Sequence, residues 1–555
     1  MYSAQGAYSD GTTKEITSLV QWRIEAPTSI GYFSGSEAKG TELGTGTIEA
    51  ILQGVTGAAS LTVREPELIA FSVSPTDQRI GVGSIHDFVT NGWFTDFSFD
   101  YPTPISCRLS DATVAIIIEV GESHCRIQGL SAGTATLSLF SASSEFSADA
   151  TIEVLPLTPF GSRAAHWTPE MKIGVDETGA PVVVFRVPFD GTGDLFWSRR
   201  AEDGNWSAQA TISAKPVGGW ESFVMDLALD GSILLVGTGA HGIYSTQYLP
   251  GQGWQELETV SEKTLVPFEF GGAFEVGYDA EGNGIAMWTD DANIFSSEYH
   301  AGSGWSAPVD WGSGYYPVLA MNESGKAILV WHKFTGIVSG DGFDAPIHRP
   351  YAVTYTVGTG WTVPVVLDSF DFASNPTAAM NESGEAIAVW QRVHSYEILT
   401  SRLLADGSWT PAEVLSDDLM PCVGSVAIDV QGNVLLLCNR SYRYLVGSGW
   451  QAPASIEIPI PGQLEVDRQG DTVIVWPYGS PEGPEVKISR FDHVHGWQPD
   501  ETLAIPRGGT TRIPFAMNSA GNAAMAWASN FQLWNSGRKV FEDYHEIYIQ
   551  TVPSD

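Results

Sequence analysis

The sequence predicts an all-β chain, and three observations carry that reading. Glycine (59 residues) and tryptophan (19) are abundant, while charged residues make up only 17%, against roughly 25% in ordinary soluble domains. A hairpin-turn motif recurs through the last four hundred or so residues at a mean spacing of about 49. The apolar runs between turns are short; one of the longest, Val114 to Ile118, is far from the roughly 20 residues of a membrane span. At 555 residues the chain exceeds what one core holds, so two to four domains are expected.

Charge excludes some partners. Lys and Arg number 28 against 65 Asp and Glu, a formal charge of −37, which argues against nucleic acid or an anionic membrane surface. Met1 is not followed by the basic-then-apolar pattern of a signal peptide. The four cysteines fall as two close pairs, Cys107 with Cys125 and Cys422 with Cys438. The second pair flanks a turn at Asp429–Gly432, which places its members nearly opposite in a hairpin. Buried free thiols are the competing reading. Local pairing in an acidic chain points to an oxidising compartment, hence a secreted or cell-surface protein.

Residues 1–65 divide into short strands. One is expected over Ile16–Trp22, with Ile16, Ser18, Val20 and Trp22 on one face; others over Gly46–Ile51 and Ala59–Val63. The run Tyr8-Ser9-Asp10-Gly11-Thr12-Thr13-Lys14-Glu15-Ile16-Thr17, leading to Trp22, resembles the bacterial Ig-like group 2 domains. Residues 66–155 repeat the later landmarks as Gly133-Thr134-Ala135-Thr136-Leu137 and Ala150-Thr151-Ile152-Glu153-Val154. The family's opening strand, ending in a turn like Val73-Ser74-Pro75, is present in the second copy and missing from the first. The resemblance implies two sandwiches acting as spacers on a bacterial surface. Either the chain extends upstream, or a neighbouring molecule donates the strand, allowing self-assembly of a filament through the first Ig-like domain.

From 156 to 555 the chain is a repeat. Anchors stand at Asp176–Gly179, Asp230–Gly231, Asp279–Gly282, Asn322–Gly325, Asn381–Gly384, Asp429–Gly432, Asp467–Gly470 and Asn518–Gly521. Each complete copy suits a type I turn with a left-handed glycine. A strand precedes it, and an apolar strand often ending in Trp follows, as in Ala327–Trp331. A third strand and a Gly-x-Gly-Trp turn come next, as at Gly302–Trp305. Four antiparallel strands per repeat make a propeller blade. The expected architecture is therefore two Ig-like β-sandwiches followed by a β-propeller of eight blades, with seven as the alternative. The last copy lacks an outer strand, which residues 160–167 should supply to close the ring. Turns such as Ala405-Asp406-Gly407-Ser408-Trp409 are similar to degenerate Asp-box repeats of sialidase-like propellers. That resemblance marks blades and leaves activity open.

The tryptophans of Gly-Trp turns and second strands read as core. Trp220, Trp311 and Trp534 do not fit either place, and by topology fall on the face carrying the variable loops. Near them in sequence are Tyr315, Tyr316, His332, His348, Arg349, Arg392, His394, Tyr396 and His545. Aromatics stack on sugar faces, and Arg and His donate to hydroxyls or carboxylates. The candidate ligand-binding set is Trp220, Trp311, Tyr315, Tyr316, His332, Arg349, Arg392, His394, Tyr396 and Trp534; the plain alternative is that they pack long loops. No catalytic residue, metal ligand or cofactor motif is identifiable. His493 and His495 have alternate-strand spacing without a third ligand. Phe185-Arg186-Val187-Pro188 and Arg512-Ile513-Pro514 are similar to the sialidase Arg-Ile-Pro signature but sit out of context. The expected function is a non-catalytic surface or matrix protein whose propeller binds a glycan or a surface protein. A sialidase-like glycoside hydrolase is the enzymatic alternative.

Overall fold

The computed structural model describes residues 2–552 except 103, 142–145, 158, 160, 165–168, 187–191, 202–205, 263–273, 291, 341–342, 371–372, 394, 417–423, 439, 454–461, 481–482, 493–494, 506–512 and 536–539. The chain is all-β, with a single 3-10 turn at Thr28–Ile30 as the helical exception among those residues.

In the first unit, Gln21–Ala26, Gly44–Leu52 and Val55–Val63 form an antiparallel sheet beside two hairpins, Gln5–Ala7 with Thr13–Glu15 and Gly31–Ser34 with Glu37–Gly40. The strand expected from Ile16 begins instead at Gln21. Thr17 is drawn into a turn, its hydroxyl accepting the Ala4 amide and its carbonyl the Trp22 indole. The core is thin: Ile30, Ile48 and Leu61.

The second unit is a sandwich. One sheet contains Leu68–Ser74, Ile85–Phe94, Phe99–Asp100, Ala115–Val120 and His124–Gly129; the other runs Ile105–Leu109, Gly133–Ser141, Ser147–Leu155, Asp77–Gly81. Alternate residues of both sheets, including Phe88, Ile127, Leu137 and Ile152, meet in one core. The Cys107–Cys125 disulfide joins the two sheets. Cys438 is also disulfide-bonded, and Cys422 lies outside the described residues.

From Gly161 onward the sheets are antiparallel meanders forming a β-propeller. The Asp176, Asp279, Asp429, Asp467 and Asn518 side chains each accept two backbone amides, as Asp176 Oδ1 does from Thr178 and Ala180, both at 2.9 Å. The turn glycine that follows is left-handed, φ +80° at Gly179. In the second copy the bonding pattern starts at Ala228, whose amide and carbonyl pair with Ser232 and Gly231, so Asp230 stands two residues later in the turn than its counterparts. Second-strand Trp288, Trp331, Trp390, Trp476 and Trp527 are buried between sheets. Each Gly-Trp turn folds its indole onto the end of the third strand, as Trp305 on Tyr299 (5.3 Å) and Trp361 on Tyr355 (5.1 Å). Gly161–Ala164 pairs with Val540–Val552 and supplies the outer strand of the last meander. At the inner edge, Asn518 Nδ2 donates to the Asp176 carbonyl at 2.6 Å, tying last copy to first. Asn322 and Asn381 make the same bond to the next anchor. Both Asn residues are buried and so used, although each begins an Asn-x-Ser sequence.

Candidate functional site

Four members of the expected ligand-binding set are core residues. Trp220 is buried against Phe223, Leu235 and Ile212, its indole donating to the Ala214 carbonyl at 3.2 Å. Trp311, 9% exposed, packs between Trp331 and Trp361 and donates to Ser296 Oγ at 2.9 Å. Trp534 is buried where the last meander meets the second sandwich. His332 is buried, opposite Tyr315 on the neighbouring strand. For Trp311, His332 and Trp534 the loops assigned to them are continuations of long strands, Val309–Met321, Lys326–Gly340 and Ala523–Asn535, which carry the sheet and its core further out, while Trp220 opens the strand Trp220–Leu227.

The remaining members disperse. Arg392 is held by Asp368 (3.1 Å) and Glu397 (2.8 Å) and lies 4.4 Å over the Phe370 ring. Arg349 stands opposite Lys333 in a hairpin and is half-buried. Tyr315 packs edge-on against His348, 5.1 Å between centroids. His332 Nε2 and His348 Nδ1 are buried without a hydrogen-bond partner among the described residues. Burial, with the His348 charge second, pushes the His332 imidazole down to about 3, so it stays neutral. His545 is buried, and His394 lies outside the described residues. Among the described members of the set, Tyr316 and Tyr396 alone are exposed to solvent, both in left-handed backbone (φ +52° and +57°). Arg186, in the run similar to the Arg-Ile-Pro signature, is paired with Glu170; elsewhere in the repeat Arg199 pairs with Asp176 and Arg490 with Glu501. Arg512 and His493 lie outside the described residues.

A different surface gathers exposed aromatic area. The strand Ile85–Phe94 turns through Thr95-Asp96-Phe97-Ser98 into Phe99–Asp100. Trp93 is 51% exposed, Phe97 86% and Phe99 49%. Trp93 and Phe99 face each other across the pair, rings 5.4 Å apart; Phe99 meets Tyr101 at 6.0 Å, and Tyr101 meets Trp534 at 4.6 Å. The ladder therefore runs from a free tip to a buried base. Phe97 is held at φ +64° by the bonds Phe97 N to Phe94 O (2.9 Å) and Phe94 N to Ser98 O (3.1 Å). A left-handed aromatic projecting into water is strain without a packing return, a feature that clusters at functional sites. The Ser98 hydroxyl and amide hold the Asp96 carboxyl below its usual range, keeping an acceptor ionised beside the rings. Sequence reasoning passed over this segment, yet the signal is there: Trp93, Phe97, Phe99 and Tyr101 within nine residues, with Asp and Ser in the turn.

The base of the ladder is anchored. Asp87, buried, takes both guanidinium contacts of Arg126 at 2.8 Å and the Trp534 amide at 2.6 Å. Beside it Ser84 Oγ donates to Glu546 (2.8 Å), which also takes the Tyr548 hydroxyl (2.6 Å). Leu155 and Leu157 join the core of the last meanders. The second sandwich and the propeller thus share a buried, hydrogen-bonded seam.

No protein-family model matches the chain. It is 31% identical over 160 residues to ice-binding protein 1 of Shewanella frigidimarina (strain NCIMB 400), a stretch covering 28% of this chain and 18% of that protein. The chain thus spans less than a fifth of that relative's length. Among solved structures it is similar to the lectin BP39L of Burkholderia pseudomallei (12% identity, 62% of this chain, 100% of that one, TM-score 0.41). It is also similar to the Aleuria aurantia lectin described as a six-bladed β-propeller (13%, 54% and 100%, TM-score 0.28), and to domains 4 and 5 of the S-layer protein SbsC (14%, 27% and 79%, TM-score 0.18). Among the described residues no helix is long and apolar enough to cross a membrane.

Proposed function

We propose that this chain is a non-catalytic, extracytoplasmic surface protein that binds glycan, and that the aromatic ladder of Trp93, Phe97 and Phe99 makes the contact. In this reading residues 1–65 and 66–155 are Ig-like units, and 156–555 is an eight-bladed propeller docked on the second unit. One observation carries the proposal: an exposed aromatic array whose tip residue is held in a costly backbone conformation. Flat rings stack on the apolar faces of pyranoses, and the Asp96 carboxylate accepts from their hydroxyls. The partnered arginines favour binding over sialidase chemistry. The buried seam with the propeller gives the ladder a rigid footing, which lowers the ordering cost of binding.

A second reading keeps the contact on the propeller, at Tyr316 and Tyr396, favoured by their exposure and shared left-handed backbone. A glycan array probed with wild type, Trp93→Ala and Tyr316→Ala separates the two. Loss of the signal in Trp93→Ala alone supports the ladder; loss in Tyr316→Ala alone moves the site to the propeller. Turnover of any fluorogenic glycoside by the wild type ends the non-catalytic reading.

A further inference from the structure

The two sandwich units have the same strand plan, and the comparison exposes an empty position in the first. Gly133–Ser141 and Ser147–Leu155 correspond to Gly44–Leu52 and Val55–Val63: Gly133 pairs with Val154 as Gly44 pairs with Val63, and Ala135 with Ile152 as Gly46 with Leu61. A contact outside the pair matches too. A Cβ on Gly129 would meet the Val154 side chain, and one on Gly40 would meet that of Val63.

In the second unit the outer edge of Ser147–Leu155 is covered. Asp77–Gly81 lies parallel to it, with Thr151 opposite Asp77 and Val154 opposite Ile80. Ile80 is fully buried in the shared core, and Gly129 also touches Ile80 and the Gly81 carbonyl. The strand before it, Leu68–Ser74, covers the edge of Ile85–Phe94. In the first unit, among the described residues, no strand pairs with the outer edge of Val55–Val63. One carbonyl there, that of Ser60, receives the Tyr2 hydroxyl at 3.3 Å. Burial records the difference. Ala150 is buried, whereas its counterpart Ala59 is exposed, as are all residues from Val55 to Ser60. A nine-residue edge without a single charge, proline or strand bulge carries none of the devices that keep such edges from pairing.

We propose that the first unit is a strand acceptor: the Val55–Val63 edge takes, in parallel, an extended segment of another polypeptide with the chemistry of residues 68–81. That chemistry is an alternating apolar strand, a Ser-Pro turn, and a second strand placing one branched aliphatic side chain where Ile80 sits. The chain's own copy of this segment is already used in the second unit, so the described residues hold no free copy of it. Main-chain hydrogen bonds supply affinity, and the open core above Ile48 and Leu61 selects the aliphatic side chain. The inference is independent of the glycan reading.

The probe is a fluorescein-labelled synthetic peptide of residues 66–82, titrated into the full chain, with hydrogen exchange of the 55–63 amides followed by mass spectrometry. Saturable binding is expected, with exchange over 55–63 slowed at least tenfold and exchange in the propeller unchanged. A peptide carrying Ile80→Asp should not bind. Ala59→Glu, at an exposed position, should abolish peptide binding while the chain's melting temperature stays within a degree or so of wild type. Absence of saturable binding overturns the proposal. So does a peptide-free chain whose 55–63 amides already exchange as slowly as those of Ser147–Leu155, because the edge is then not open.

Discussion

Asn518 donates its side-chain amide to the backbone carbonyl of Asp176, at 2.6 Å and across 342 residues of chain. The same side chain accepts the Ala520 and Asn522 amides through its oxygen. One residue therefore shapes its own turn and fastens the end of the ring to its beginning. An aspartate there keeps the acceptor role, as Asp429 and Asp467 do in their copies, but loses the donor.

Asn518→Asp is accordingly expected to destabilise the propeller by about 1–2 kcal/mol, since a buried carbonyl loses its partner and faces a charge. Urea denaturation measures it. A midpoint equal to wild type would show that the outer strand Gly161–Ala164 closes the ring unaided.

Trp311→Ala should cost about 3–5 kcal/mol, as much as Trp331→Ala, because both indoles fill the same core. Thermal unfolding of the two variants side by side is the check. A Trp311 variant as stable as wild type would return this residue to the surface.

Phe97→Gly should leave the fold slightly more stable, by about 0.5–1 kcal/mol, because glycine accepts the left-handed backbone that phenylalanine resists. The same change should abolish glycan capture. Retained capture with raised stability would remove Phe97 from the site.

Glu465 lies on an innermost strand, Gln463–Val466, at a position where most copies carry Gly or Ala and the second carries Asp226. Burial, with the Asp226 charge second, pushes its carboxyl up to about 7; burial takes Asp226 up to about 6. The folded chain thus holds protons that the unfolded chain releases near 4.5 and 3.8. Stability from these groups is full below those unfolded values and is lost as pH rises through about 7. Glu465→Gln should raise the melting temperature at pH 8, with the gain shrinking toward pH 4. A gain of the same size at both pH values would mean that charge is not its origin.

Reduction of Cys107–Cys125 should destabilise the second sandwich by about 2–4 kcal/mol, since the bond closes an 18-residue separation between its two sheets. Melting with and without dithiothreitol tests this, with Cys107→Ala as the reagent-free comparison. An unchanged transition would make the bond dispensable for folding.

The sequence alone determined what is local and periodic. The anchor turns were legible because an Asx side chain and a left-handed glycine at fixed spacing leave the backbone few alternatives, and Gly179 has the expected φ. The second-strand tryptophans were legible because they recur at the same place in successive repeats. The need for an outer strand from the start of the repeat followed from counting, and Gly161–Ala164 supplies it. Tertiary structure decided which aromatics meet water. Trp311 and Trp534 are no less apolar or aromatic in sequence than Trp93, but a neighbouring strand covers the first and the second sandwich covers the other. Trp93 and Phe97 stay exposed because, among the described residues, no other element packs over the tip of their hairpin. Burial is a property of the pair of surfaces that meet, and a pattern of residues along one strand records only its own side of that contact.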